Sequence, residues 1–90
     1  MFDISWTEAA TEELSRIWIN AHPEDRELIT QTVNDIEVAL TKAADTVGES
    51  RFDNDRILIV SHIAIQYRVW ADQREAVVTN IWRTTGPANP

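Results

Sequence analysis

The fold is decided by one stretch, Arg56-Ile-Leu-Ile-Val-Ser-His-Ile-Ala-Ile-Gln-Tyr-Arg-Val-Trp70. Residues 57–60 are consecutively apolar, and from 63 to 70 apolar side chains alternate with their neighbours in a period of two. Such a period, rich in β-branched and aromatic residues, is typical of a half-buried strand. Because only Ser61-His62 separates the two runs, the two strands should pair antiparallel.

A third run, Ala76-Val-Val-Thr-Asn-Ile-Trp82, follows a polar segment and extends the pair into a three-stranded meander. In the middle strand, Ile63, Ile65 and Tyr67 form the apolar row that needs cover. The first half of the chain must supply that cover, because a half-buried strand has one face against the core.

Residues 1–5 suit a short strand, and Ser5 with Glu8 three residues later predicts the start of a first helix. Two apolar stripes at helical spacing follow, first Ala10, Leu14, Ile17, Trp18 and Ala21, then Ile29, Val33, Ile36 and Leu40. His22-Pro23 separates the two helices, and we expect Trp18 to lie in the core.

These elements predict an α+β fold of order β-α-α-β-β-β, in which a helical hairpin packs on one face of an antiparallel sheet. We expect residues 1–83 to form a single domain and residues 84–90 to be a disordered tail. The core should be one cluster of Leu14, Ile17, Ile36, Leu40, Ile65, Tyr67 and Val69.

Composition limits the function. The 90 residues contain no cysteine, which excludes disulfides and thiolate metal sites. The net charge is -7, and residues 1–50 hold eleven acids against three bases. Because nucleic-acid affinity comes mainly from cations that neutralise phosphates, free nucleic-acid binding is not expected. No secretion signal or membrane span is recognisable, so we expect a cytoplasmic protein that does not contact the membrane.

Sequence motifs for enzymatic chemistry are scarce. With two glycines there is no phosphate-binding loop, and His22 and His62 have no partners at ligand spacing. We therefore expect neither a metal nor a cofactor.

The basic residues of the sheet half are all arginines, and they point to a surface of interest. Arg68 shares strand parity with Gln66 and Trp70, opposite the apolar row. Asn80 and Trp82 join this face if the register of the last strand allows. Such a surface could hold phosphates, stack a base or contact a protein partner. The alternative is that Arg68 forms a surface ion pair within the chain.

Four segments together resemble the RelE/ParE family of toxins from bacterial type II toxin–antitoxin modules, the plasmid stabilisation protein type. They are Gly48-Glu49-Ser50-Arg51, the run from Arg56 to Val60, the run from Ile63 to Val69, and the run from Val77 to Trp82. Trp6-Thr-Glu-Ala-Ala10 with Leu14, Ile17 and Trp18 is similar to the family's first helix. The resemblance covers residues 1–83 and implies the same α+β fold.

The resemblance implies two alternative functions, one for each branch of the family. RelE-like members cut messenger RNA in the ribosome, using Lys, Arg and often a C-terminal Tyr. ParE-like members poison DNA gyrase by binding it, without chemistry of their own. Both kinds are neutralised by a partner antitoxin. Whether this chain forms a homodimer is left as an open alternative.

Transferring these roles residue by residue weakens the hypothesis that this chain is a RelE-like ribonuclease. The family's catalytic arginine falls at Ala64, and the Lys-rich segment before the second strand contains no Lys in this sequence. The candidate catalytic residues that remain are Arg56, Arg68, Arg83 and His62. Candidate partner-binding residues are Gln66, Arg68, Trp70, Asn80 and Trp82. We therefore expect a toxin that binds gyrase or another large target. The alternatives are a ribosome-dependent endonuclease and an inactive member that binds only its antitoxin.

Overall fold

The computed structural model describes residues 1–84. The chain runs through the elements β1 Asp3–Trp6, α1 Glu8–Asn20, α2 Pro23–Ala43, β2 Glu49–Ser50, β3 Asp55–Val60, β4 Ile63–Trp70 and β5 Glu75–Arg83. A short 3-10 turn, Ala71–Gln73, joins the last two strands. The predicted tail lies outside the described residues except for Thr84, whose amide donates to the carbonyl of His62 at 2.8 Å. The assignment of residues 1–83 to one domain stays a prediction.

The strands form one five-stranded sheet in the order β1-β5-β4-β3-β2. The hairpin of β3 and β4 and the meander into β5 are antiparallel, as the sequence predicted, whereas β1 pairs parallel to β5 at one edge. The two-residue strand β2 pairs antiparallel with β3 at the other edge. The α+β prediction is confirmed, and the sheet has one more strand than expected.

Both helices lie on the same face of the sheet, with α1 over β5 and α2 reaching β1, β3 and β4. Six of the seven predicted core residues are buried, and Leu14 is partly buried against the same cluster. The helix stripes and the strand parity therefore predicted these seven core positions correctly.

Two predictions about α1 are wrong. The helix is capped by Thr7, whose Oγ1 accepts the Ala10 amide at 3.1 Å, because Ser5 is still inside β1. Trp18 is 40% exposed instead of being in the core. Its ring lies at the edge of the apolar stripe, where its Nε1 donates to Thr30 Oγ1 at 3.2 Å and the Arg26 guanidinium stacks at 4.5 Å from the ring centre.

Candidate functional site

The face of the sheet away from the helices, called the open face below, is set by the pairing of three strands. Each residue of β4 on this face lies opposite one residue on each neighbouring strand. The open face carries Asp55, Ile57 and Ile59 from β3, Ala64, Gln66, Arg68 and Trp70 from β4, and Glu75, Val77, Asn80 and Trp82 from β5. All five residues predicted to bind a partner therefore lie on one surface.

A β-bulge in β5 brings Asn80 and Val77 to the same face. Gln66 pairs with Asn80 but Tyr67 pairs with Val78, so Thr79 is an extra residue in β5. Its hydroxyl donates to the carbonyl of Gln66 at 3.2 Å, which anchors the bulge. The extra residue reverses the alternation of β5, because one inserted residue moves every later side chain to the opposite face.

The centre of the open face is an ion pair within the chain. Arg68 Nε donates to Asp55 Oδ1 at 2.8 Å, and its Nη2 lies 3.4 Å from Oδ2. Gln66 Nε2 donates to the same Oδ2 at 3.3 Å. The hydrogen bond from Arg68 lowers the pKa of Asp55, against the opposing effect of burial, and it raises the pKa of Arg68. The alternative stated for Arg68, a surface ion pair, is thus what the structure contains.

Apolar side chains surround this ion pair. Ile59 is 57% exposed, and Ile57, Val77, Trp70 and Trp82 are partly exposed. Ala64 is fully buried although it lies on the open face, between its cross-strand neighbours Ile59 and Trp82. An arginine at this position, where the family resemblance would put a catalytic one, would have to displace these larger side chains.

Arg56 points to the opposite face and is occupied there. Its Nε donates to the carbonyl of Val47 at 2.9 Å, and its Nη2 donates to that of Gly48 at 3.0 Å. These bonds fasten the segment between α2 and β3. The guanidinium of Arg56 therefore holds the fold together at a distance from the open face.

His62 and Arg83 lie together at the other end of β4. Both line a groove of about 250 Å³ between the β3–β4 turn and the start of α2, together with Asp25, Leu28, Ile29, Thr32, Ser61 and Ile63. His62 is six positions from Arg68 in the chain, which in an extended strand is roughly 20 Å. The four candidate catalytic residues are thus distributed over three places in the molecule.

Sequence reasoning missed Asp55 and the two isoleucines Ile57 and Ile59. The signal for all three was the two-residue turn, since pairing Val60 with Ile63 and counting back along both strands puts Asp55 opposite Arg68. The same counting places both isoleucines on the open face.

Two further features are suited to contact with a protein. Because β2 pairs only with Arg56 and Ile57, the outer edge of β3 from Leu58 onward has no strand beside it among the described residues. The helices also enclose an apolar groove of about 440 Å³, lined by Leu14, Ser15, Trp18, Ile19, Ile29, Thr30, Val33 and Asn34. Unpaired strand edges and apolar grooves are common sites for a partner's strand or helix.

Within residues 1–84, no three His, Cys, Asp or Glu side chains are grouped closely enough to hold a metal ion. In the same part of the chain, neither helix has the length and apolar character needed to cross a membrane.

No protein-family model and no curated protein matches the chain. Several solved structures are similar to it. A chain of the chromosomal ParDE TA system from P. aeruginosa is 22% identical, with a TM-score of 0.73 over 94% of this chain and 98% of that one. The isolated E. coli RelE toxin is 12% identical, with a TM-score of 0.65 over 98% of this chain and 89% of that one.

A third similar structure is the intact E. coli RelBE toxin–antitoxin complex, at 13% identity and a TM-score of 0.60, covering 94% of this chain and 99% of that one. The chain therefore has the fold of the ParDE and RelE structures, which confirms the fold that the resemblance implied.

Proposed function

We propose that this chain is the toxin component of a type II toxin–antitoxin module and that it acts by binding a large target such as DNA gyrase. One observation carries the choice of binding over cleavage: the four candidate catalytic residues do not lie in one site. Arg56 holds the segment between α2 and β3, and Arg68 is bound to Asp55. His62 and Arg83 lie at the far end of the sheet. A site without a positioned acid or base forgoes about 10²–10⁴ in rate.

The proposed partner is a cognate antitoxin in the cytoplasm. The similarity to the RelBE complex supports this partner, and the open face with the free edge of β3 supports the mode of contact. A partner strand could add at that edge and lay side chains over Ile59 and Trp82. The same edge could also serve a homodimer.

Ribosome-dependent cleavage of messenger RNA is a second candidate, favoured by the shared groove of His62 and Arg83. In this candidate His62 would exchange a proton with the ribose hydroxyl, and Arg83 would stabilise charge on the phosphate. An inactive member that binds only an antitoxin is the third candidate.

The experiment is expression of the chain with and without its proposed cognate antitoxin. We expect growth to slow only without that protein. Purified chain should inhibit DNA supercoiling by gyrase and should leave ribosome-bound messenger RNA uncut in primer extension. Cuts at ribosomal A-site codons would establish the nuclease instead, and unchanged growth would favour the inactive member.

A further inference from the structure

The open face carries a cation that is already bound to a carboxylate of its own chain, and this determines what the face can recognise. We propose that Asp55 is a specificity-determining residue, because it occupies one anion-binding edge of Arg68, Nε with Nη2, places a negative charge beside the rest of the guanidinium, and so disfavours nucleic-acid phosphates on the open face. The inference rests on the proposed function only in taking the open face as a contact surface.

The geometry of the pair is that of a bound ligand. A guanidinium recognises carboxylates and phosphates through two parallel N–H groups, and Asp55 takes one such edge, Nε with Nη2, at 2.8 and 3.4 Å. Gln66 supplies a third donor to the same carboxylate at 3.3 Å. A phosphate on this edge of Arg68 would have to take the position of Asp55.

Burial makes that exchange unfavourable. The Asp55 side chain is 15% exposed, whereas that of Arg68 is 50% exposed. Displacing the carboxylate would cost it the hydrogen bonds from Arg68 at a position where little of its side chain is exposed to water. A phosphate that bound beside the pair would instead meet the negative charge of Asp55 at close range.

The surrounding charges act in the same direction. Arg51, at the edge of the sheet, is paired with Glu49 at 3.2 Å. Asp3 and Glu75 lie opposite each other on β1 and β5, on the same side of the sheet as Arg68. Because phosphate binding depends on unneutralised cations, this face suits an apolar protein segment and is poor for a nucleic-acid backbone.

The test is to remove the charge of Asp55 and measure phosphate binding directly. The probe is a fluorescent single-stranded RNA of about twelve nucleotides, long enough to span one binding groove, followed by anisotropy at low salt. The variant Asp55→Asn keeps the shape of the side chain and frees Arg68 from its ion pair. Glu75→Gln is the matched control, because it makes the same charge change on the same face without touching Arg68.

We expect Asp55→Asn to bind the RNA about fivefold more tightly than the wild type, with an affinity that falls as salt rises. Glu75→Gln should gain clearly less than Asp55→Asn, because Glu75 lies on the same face without contacting Arg68, and Asp55→Asn combined with Arg68→Ala should lose the gain. If Asp55→Asn does not fold, as judged by circular dichroism, Asp55→Ser replaces it.

A wild type that already binds as tightly as Asp55→Asn would overturn the inference, and so would equal gains in Asp55→Asn and Glu75→Gln. The assay uses neither antitoxin nor gyrase. It can therefore fail while the proposed toxin function stands, and it can succeed if that function is wrong.

Discussion

Arg56 on β3 lies directly opposite Tyr67 on β4, and both side chains hold the carbonyl of Val47. Tyr67 is fully buried, and its hydroxyl donates toward the carbonyls of Ala44 and Val47, at 3.0 and 2.7 Å. The turn requires glycine at position 48, where φ is 72°, because a Cβ there would come within 2.5 Å of the carbonyl oxygen of Ile57. Arg56 and Tyr67 therefore connect the end of α2 to the centre of the sheet.

Tyr67→Phe should lower the free energy of unfolding by about 1–3 kcal/mol, because the buried carbonyl of Ala44 loses its donor and that of Val47 keeps only Arg56. Chemical denaturation followed by tryptophan fluorescence measures the change. Arg16→Ala, on the exposed side of α1, is the control. Equal stability of Tyr67→Phe and the control would mean that water or a neighbouring group satisfies these carbonyls.

Leu40 tests the packing of α2 on the sheet. It is fully buried in the core cluster, so Leu40→Ala should destabilise the protein by about 2–5 kcal/mol through lost burial and a cavity. Glu12→Ala on the helix surface should change stability by under about 0.5 kcal/mol. A thermal shift for Leu40→Ala no larger than that of Glu12→Ala would show that the helix does not pack as described.

The Asp55–Arg68 pair predicts a dependence of stability on pH. Because folding lowers the pKa of Asp55 below its ordinary value of 3.8, the pair stabilises the folded state above that pH. The contribution is lost as the pH falls through the lowered pKa. Stability of the wild type should therefore fall more steeply in acid than that of Asp55→Asn. Parallel curves of unfolding free energy against pH for the two proteins, between pH 6 and pH 2, would contradict this prediction.

Ala64 and the groove of His62 and Arg83 test the chemistry separately. Ala64→Arg should not create messenger-RNA cleavage in primer extension and should cost about 1–3 kcal/mol in stability, because the position is fully buried.

His62→Ala and Arg83→Ala should leave growth inhibition unchanged, which growth curves measure. Loss of toxicity in both variants, with intact folding, would move the functional site to that groove.

The sequence predicted the faces of β4 because its alternation is strict and its turn has two residues. It did not predict the shift in β5, since no glycine or proline marks the bulge at Thr79. Trp18 was misplaced for a physical reason: it is next to Ile17 at the margin of the stripe, and Arg26 offers its ring a stacking partner outside the core.

For the site, parity was enough to place Gln66, Arg68 and Trp70 on one face, whereas the position of Asn80 and Trp82 depended on the register of β5. It was not enough for Arg56, whose strand parity alone does not reveal the carbonyls that its side chain reaches. Which residues contact a partner stays a prediction.

The central claim is that the open face is where the antitoxin binds, and matched isoleucine substitutions test it most directly. Ile59 on the open face is 57% exposed and Ile19 on α1 is 63% exposed, so changing either to serine should disturb the free protein little. Calorimetric titration with the cognate antitoxin compares Ile59→Ser, Trp82→Ala and Ile19→Ser with the wild type. We expect the first two to weaken binding by more than about 1 kcal/mol and Ile19→Ser to match the wild type. Weakened binding by Ile19→Ser alone would place the interface on the helical hairpin and contradict the account.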